Sequence, residues 1–505
     1  MAGRQPPPGL ILRRKQMKKI WKIIIAAAVV LVVAAAVTTA VCLHFFLAPK
    51  IAETKDLGSI HDGKNLRVGI LGDTQLPGSA QEEEENKGVY KANLKAALEL
   101  MKEQKVDLLI HAGDFCEVAS DFGYQTYSSV FNEVFPEADN RPVTQYIMGN
   151  HDFWTEGSHR YPTYKQNLFE KNLEQSPWTH LILNGFHFIA ASPDSGDSSR
   201  AYTGRALNWL DEQLAIAEKD AEKEGKPIFV ITHQNPSATV YGSGEWGDQS
   251  LKSLLDQYPQ AVSISGHSHF SILDERSIYQ DKFTAFTTQS IAYLEMERDK
   301  FDAFRAYDAE TNAYSTLKGY ISCPPEDTHV PMCLIMDVGQ EKTEIARWNV
   351  LEKREEKADA RWTLSYPLDL SHFTYRLNDR QIGREAPVFP QGAAIDYEAA
   401  IPNWNPDGAV KSLPGIAFPA ARHTDLVHSY YLRLTNTQTG AQYEYTVYSD
   451  FYKGEKSMAD TVKIAIDPSV PGGSYRVEVY AAESFGQFSK PLTGSIRYRP
   501  PALPQ

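Results

Sequence analysis

Five times in this chain a short apolar run ends in a group of polar residues. Leu66–Leu71 leads to Asp73 and Gln75, Leu108–Ile110 to Asp114, and Tyr146–Met148 to Asn150, His151 and Asp152. Ile228–Ile231 leads to His233, and Val262–Ile264 to His267 and His269. Such short, largely apolar runs read as buried strands of a mostly parallel sheet. In open α/β sheets ligands bind beyond the carboxyl ends of the strands, so these polar residues are expected to converge. Gly72, Gly113, Gly149 and Gly266 each precede a polar residue of the set, where a missing Cβ permits a sharp turn and close approach of backbone to a ligand.

Between the blocks the spacing changes to that of helices. Leu94, Ala97, Leu98 and Met101 fall on one helical face, and Leu207, Leu210 and Leu214 on another. This alternation over residues 66–350 predicts a layered α/β domain. Residues 50–65 read as a polar linker, and 351–385, which lack a clear period, as a connector. From residue 386 to 499 the period becomes two: Tyr443, Tyr445 and Val447; Val462, Ile464 and Ile466; Tyr475, Val477 and Val479. Turn-rich segments such as Pro471-Gly472-Gly473 separate these runs, so a C-terminal antiparallel β-sandwich is expected, its aromatics serving as core. Residues 474–486 with 489–492 resemble the last two strands of a fibronectin type III domain. Such a sandwich offers a surface for a cell-envelope or protein partner.

Residues 1–22 carry seven basic side chains and no acid, and Ile23–Leu47 follows without a formal charge. As a helix that run would reach about 38 Å, enough to span a ~30 Å hydrocarbon layer. The basic flank keeps the N-terminus cytoplasmic, which makes 23–47 an expected single-pass transmembrane signal anchor with an extracytoplasmic body. A cleaved signal peptide ending near Ala34-Ala35-Ala36, and hence a secreted protein, is the alternative. The overall charge is −13, and removing those seven positive charges leaves the body at −20, which argues against nucleic acid as a stable partner. Four cysteines in 505 residues exclude a disulfide scaffold, although Cys323 and Cys333 could pair outside the cell. Few cysteines and no Asn-x-Ser/Thr sequon fit a bacterial surface protein. Cys116 is expected as a small buried apolar group, and Glu82–Glu85 as a solvated loop.

Asp152 aside, the strand-end inventory is two Asp, one Asn, one Gln and four His. Carboxylate and amide oxygens mixed with imidazoles suit Mn²⁺, Fe or Zn²⁺. Eight groups exceed what one ion needs and fit two ions sharing a carboxylate, with one histidine left for proton transfer.

With Gly149-Asn-His-Asp152 and Gly266-His-Ser-His269 in order, each after an apolar run, residues 66–350 resemble the calcineurin-like metallophosphoesterase superfamily. The resemblance implies a β-sandwich flanked by helices and hydrolysis of phosphate mono- or diesters. By position it implies one metal held by Asp73, Gln75, Asp114 and His269, and a second held by Asp114, Asn150, His233 and His267. His151 is then a general acid and Asp152 its orienting partner, with a metal-bridging hydroxide as nucleophile. The first block departs from the superfamily's usual Asp-x-His, because Gln75 stands where a histidine is usual. An inactive binding or scaffold protein with the same fold, and an adhesion protein working through its sandwich, are the competing readings. The loops between blocks set the substrate, and Phe153–Tyr164 and Tyr241–Gly247 are candidate pocket walls.

Overall fold

The computed structural model describes residues 54–60, 63, 65–154, 162–221, 225–295, 297, 305–316, 330–402 and 412–501. The expected membrane span at 23–47, the basic segment before it and Cys323 lie outside the described residues. Among the described residues no helix is long and apolar enough to cross a membrane.

Two sheets face each other. The first runs, in order, Arg354–Glu356, Lys342–Asn349, Met332–Val338, Leu66–Leu71, Leu108–His111, Val143–Tyr146, with Trp362–Ser365 also paired to Lys342–Asn349. The second runs Lys55–Asp56, Trp178–Leu183, Phe186–Ala191, Ile228–Ile231, Ala261–Ser265, Thr284–Thr287, Ile278–Gln280. The strands that carry the five blocks pair in parallel within each sheet.

Alternation along each strand explains why the sheets stack. Val68, Ile70, Leu108 and Ile110 point to a central core shared with Phe188, Phe229, Ile231, Val262 and Ile264 of the opposite sheet. Leu71 and Leu109 face the other way, onto Leu94, Ala97, Leu98 and Met101 of the helix Val89–Glu103. Ile189, Ile228 and Val230 likewise pack on Leu210 and Leu214 of the helix Gly204–Ala221. A strand with apolar residues on both faces needs a cover on each side, and the result is a four-layer α/β/β/α sandwich. Each fully buried Leu, Ile, Val or Phe here contributes about 1.5–3 kcal/mol.

The C-terminal region is all-β. A six-stranded sheet and the three-stranded sheet Asp396–Pro402, Ser412–Pro419, Thr461–Ala465 close on a core of Ile416, Phe418, Tyr430, Leu432, Val477 and Val479. The six-stranded sheet includes Ser429–Asn436, Gln442–Tyr448, Gly473–Ala482 and Leu492–Tyr498, where period two was expected.

Three segments differ from the sequence expectation. Arg305–Asp308 and Ala313–Thr316 lie within the span read as α/β, yet they form a hairpin whose first strand pairs onto Gln442–Glu444 and extends the C-terminal sheet. Ala313–Thr316 is exposed throughout, so no apolar period marked it. Arg354–Glu356 and Trp362–Ser365 fall in the expected connector and instead complete the first sheet. Ala80–Glu85 is a short helix rather than a loop, capped by the Ser79 hydroxyl, which accepts from the Glu82 amide; it is solvated, as expected. Cys116 and Cys333 are buried. Ile51–Gln505 packs as one compact unit.

Candidate metal centre

Four of the five strand-end turns are linked in pairs through their backbones. The Asp73 amide donates to the Gly113 carbonyl at 2.9 Å, the Gln75 amide to the Asp114 carbonyl at 3.1 Å, and the Gly266 amide to the His233 carbonyl at 3.1 Å. Asp73, Gln75, Asp114, His267 and His269 adopt left-handed backbone, with φ of 54°, 45°, 57°, 71° and 56°. For a residue with a Cβ this costs about 1–2 kcal/mol. Five such residues in one cluster mark a place where the fold holds strain to aim side chains.

Two sets of donors result. Ligand atoms of Asp114, His233 and His267 lie within 4.8 Å of one another, as do those of Asp73, Asp114 and His269, so Asp114 belongs to both. His233 Nδ1 is 2.8 Å from the Ala112 carbonyl oxygen, which can only accept, so Nδ1 carries a proton. Its Nε2 then faces Asp114 Oδ2 at 3.2 Å and Asn150 Oδ1 at 3.0 Å. His267 Nε2 bonds the Ser198 carbonyl at 2.7 Å, which leaves Nδ1 as its lone pair. His269 Nε2 is 3.2 Å from Asp73 Oδ1. Gln75 donates through Nε2 to Asp114 Oδ2 at 3.1 Å, and its buried Oε1 has no hydrogen-bond partner.

These donors fit divalent cations. Asp73 and Asp114 are almost completely buried, and a buried carboxylate cluster is costly without positive charge. In the metal-free chain protons play that part. Burial disfavours the His233 imidazolium, but Asp114 outweighs it and brings the group up to about 9. Burial also opposes ionisation of Asp114, yet His233, His151 and His267 hold its carboxyl well below the usual range. His267 is pushed down to about 3 by burial and by His233. Oxygen and imidazole donors of this kind suit Mn²⁺, Fe or Zn²⁺.

The glycines work by absence of a side chain. A Cβ on Gly149 would lie 2.1 Å from Asp114 Oδ1 and 2.6 Å from His233, and one on Gly266 would lie 2.4 Å from Asp73 Oδ2. A Cβ on Gly113 would meet His233 Nδ1 at 2.5 Å, and its φ of 96° is itself unfavourable for other residues.

His151 stands at the edge of the centre. Its amide donates to Asp114 Oδ1 at 2.9 Å, its Nδ1 is 2.9 Å from the Glu117 carbonyl oxygen, and its ring lies 3.7 Å from that of Trp154. The carbonyl fixes a proton on Nδ1, which directs Nε2 away from the anchor. Asp152 does not orient this ring. Its buried carboxylate accepts from the amides of Gly149 (2.9 Å), Phe115 (3.2 Å) and Cys116 (3.4 Å) and from the Tyr124 hydroxyl (3.1 Å). It therefore staples the Asp114 turn to the Asn150 turn. Burial and the nearby Asp114 raise it to about 7.

Rings flank the remaining ligands. Trp246, on the expected wall Tyr241–Gly247, stands edge-on to His267 at 6.2 Å, and Tyr293 lies 4.5 Å from His269. In the other expected wall, Trp154 donates to the Gly196 carbonyl at 3.0 Å, whereas residues 155–161 lie outside the described residues. Glu117, Ser198 and Tyr293 went unnoticed in the sequence. The first two act through carbonyl oxygens, which residue type does not encode, and Tyr293 stands far from every block.

No curated protein matches the chain. Among solved structures, a dimetal phosphatase from Danio rerio aligns with 60% of this chain and 99% of its own, at 12% identity and a TM-score of 0.37. A purple acid phosphatase from seeds of yellow lupin, Lupinus luteus, aligns with 60% of this chain and 54% of its own, at 13% identity and a TM-score of 0.38. The sequence profile of the calcineurin-like phosphoesterase family matches residues 66–271, the span from the Asp73 strand to just past His269, and these residues are a calcineurin-like phosphoesterase domain.

Proposed function

We propose that this chain is a membrane-anchored, extracytoplasmic hydrolase of phosphate mono- or diesters that works with two divalent ions. The observation that carries the reading is the pair of donor sets sharing Asp114. Asp73, Gln75, Asp114 and His269 hold one ion; Asp114, Asn150, His233 and His267 hold the other. Bound there, the ions stabilise charge on the phosphoryl oxygens and make water nucleophilic at neutral pH. The chain supplies the rest. The Glu117 carbonyl keeps His151 Nδ1 protonated, so Nε2 is the atom that hands a proton to the leaving oxygen. Asp152 keeps the two turns in register. The basic segment 1–22 and the uncharged run 23–47 support the anchor and its orientation.

A second reading, a binding protein that keeps the fold without turnover, rests on Gln75 in place of the usual histidine. One experiment separates the two. The full chain in detergent is assayed on nitrophenyl phosphate mono- and diesters with Mn²⁺, Fe²⁺, Zn²⁺, Mg²⁺ and Co²⁺, with metal content measured alongside. Turnover together with two ions per chain is expected. Bound metal without turnover on any ester supports the binding protein.

A further inference from the structure

The C-terminal all-β region reaches toward the metal centre through His428 and Tyr448. His428 is fixed in the six-stranded sheet at the start of Ser429–Asn436: its amide donates to the Ala482 carbonyl at 2.8 Å, and its carbonyl accepts from the Ser449 amide at 3.0 Å. The ring is buried, packed by Tyr448 at 5.2 Å and Phe451 at 5.0 Å. Its Nε2 is 3.2 Å from Arg276 Nη2, which can only donate, so Nε2 accepts. It then accepts also from the Tyr241 hydroxyl at 3.1 Å.

Tyr241 in turn is seated on the turn that carries two ligands. Its ring stacks on Phe270 at 4.6 Å, and the Arg276 guanidinium caps it at 3.9 Å. Gly242 has φ 85°, and a Cβ there would lie 2.3 Å from the Phe270 ring and 2.7 Å from Ser268 Cβ. Gly242 thus lies with bare backbone against Ser268 and Phe270 of the turn. A second strut comes from Tyr448, whose hydroxyl donates to the Glu297 carbonyl at 2.9 Å. Two residues earlier, the Glu295 amide donates to the His269 carbonyl at 3.3 Å, and Tyr293 packs on the His269 ring.

We propose that His428 and Tyr448 are positioning residues for the metal centre, holding the His267–His269 turn through Tyr241 and through Glu297, Glu295 and Tyr293, so that the C-terminal region is part of the phosphoesterase rather than an appendage. This rests on the reading of His267 and His269 as metal ligands. Both struts bear on the turn, and outer contacts that orient ligands typically govern metal affinity or activity by about 10–100-fold.

The test compares the full chain with His428→Ala, His428→Gln and Tyr448→Phe, and uses Mn²⁺ binding by calorimetry beside kcat and KM for a nitrophenyl ester. His428→Ala and Tyr448→Phe are expected to bind Mn²⁺ about tenfold more weakly and to lose kcat at subsaturating metal, with KM little changed. His428→Gln, which keeps an acceptor, should recover much of that loss. Unfolding midpoints identify any variant that has not folded; if His428→Ala fails, Tyr448→Phe, which removes one hydroxyl, decides. Wild-type Mn²⁺ affinity retained in a folded Tyr448→Phe and His428→Ala would overturn the proposal. A wild-type chain that binds no Mn²⁺ would instead overturn the metal-centre reading beneath it.

Discussion

His233 Nε2 lies 3.2 Å from Asp114 Oδ2, while the opposite nitrogen of the same ring is held by the Ala112 carbonyl at 2.8 Å. The ring cannot turn away from the carboxylate without breaking that second bond. Asp114 is also the residue that the two donor sets share. Asp114→Ala therefore removes a ligand from both sites at once, whereas loss of His269 removes one ligand from one site. Metal analysis of purified Asp114→Ala is expected to find neither ion retained, with activity reduced by more than ~100-fold, the upper range for merely orienting contacts. Retention of both ions would show that the bridging assignment is mistaken.

His151 is hydrogen-bonded to Asp114 through its backbone amide, and its ring is anchored to a carbonyl. Removing the ring leaves every donor in place. His151→Ala should keep its metal content while kcat falls by about 10²–10⁴, the usual range for a positioned acid. The loss should be largest for alkyl phosphates, whose leaving oxygen needs the proton, and small for nitrophenyl phosphate. Equal losses on both classes of ester would remove His151 from the role of acid.

Legibility in the sequence tracked the kind of signal each residue leaves. Asp73, Asp114, Asn150, His233, His267 and His269 were visible because each follows a short apolar run that reads as a buried strand, and in four of the five blocks a glycine marks the strand end. The four-layer stacking follows from the same runs, since Val68 and Leu71 on opposite faces both need cover. Asp152 was visible as part of the set and misread in role. Beside His151 in sequence, it points instead at three backbone amides, a choice made by the turn's geometry. His428 carried no signal, because its partner Tyr241 is 187 positions away. The hairpin Arg305–Thr316 left none either: its outer strand Ala313–Thr316 is exposed throughout and Arg305–Asp308 is at most partly buried, so neither has an apolar face to alternate.

The contact between the two halves of the chain carries a pH dependence. Glu275 Oε1 sits 2.6 Å from Arg347 Nη1 and 2.9 Å from Lys357 Nζ, and Lys357 also bridges to Asp425 of the C-terminal region. Burial alone would raise the Glu275 carboxyl, but Arg347 and Lys357 together bring it down from 4.5 to about 2. A depressed carboxylate contributes stability that is complete above its unfolded value and is lost as pH falls toward the folded one. The shift corresponds to about 3 kcal/mol. Urea unfolding at pH 7 should therefore find Glu275→Gln about 3 kcal/mol less stable than wild type. The gap should narrow as pH falls from about 4.5 to 2. A gap that stays constant across that range would show that Glu275 makes no net ionic contribution.

On the proposed assignment, Gln75 sets which ions the first site prefers. Its Oε1 is buried without a protein partner, and its Nε2 is occupied with Asp114, so the amide oxygen is the atom left to meet a cation. An amide oxygen is a hard donor suited to Mn²⁺ or Mg²⁺, whereas imidazole favours Zn²⁺ and Fe. Gln75→His exchanges one for the other at a backbone position already left-handed, beside Asp73 and His269, which are left-handed too. The variant is expected to gain Zn²⁺ affinity relative to Mn²⁺ by about tenfold, the lower range for changes around a metal site. Competition between the two ions, followed by metal content and by the ion giving the highest kcat, measures the shift. If the preference does not move, Gln75 is a hydrogen-bond donor to Asp114 and nothing more, and the first ion is held without it.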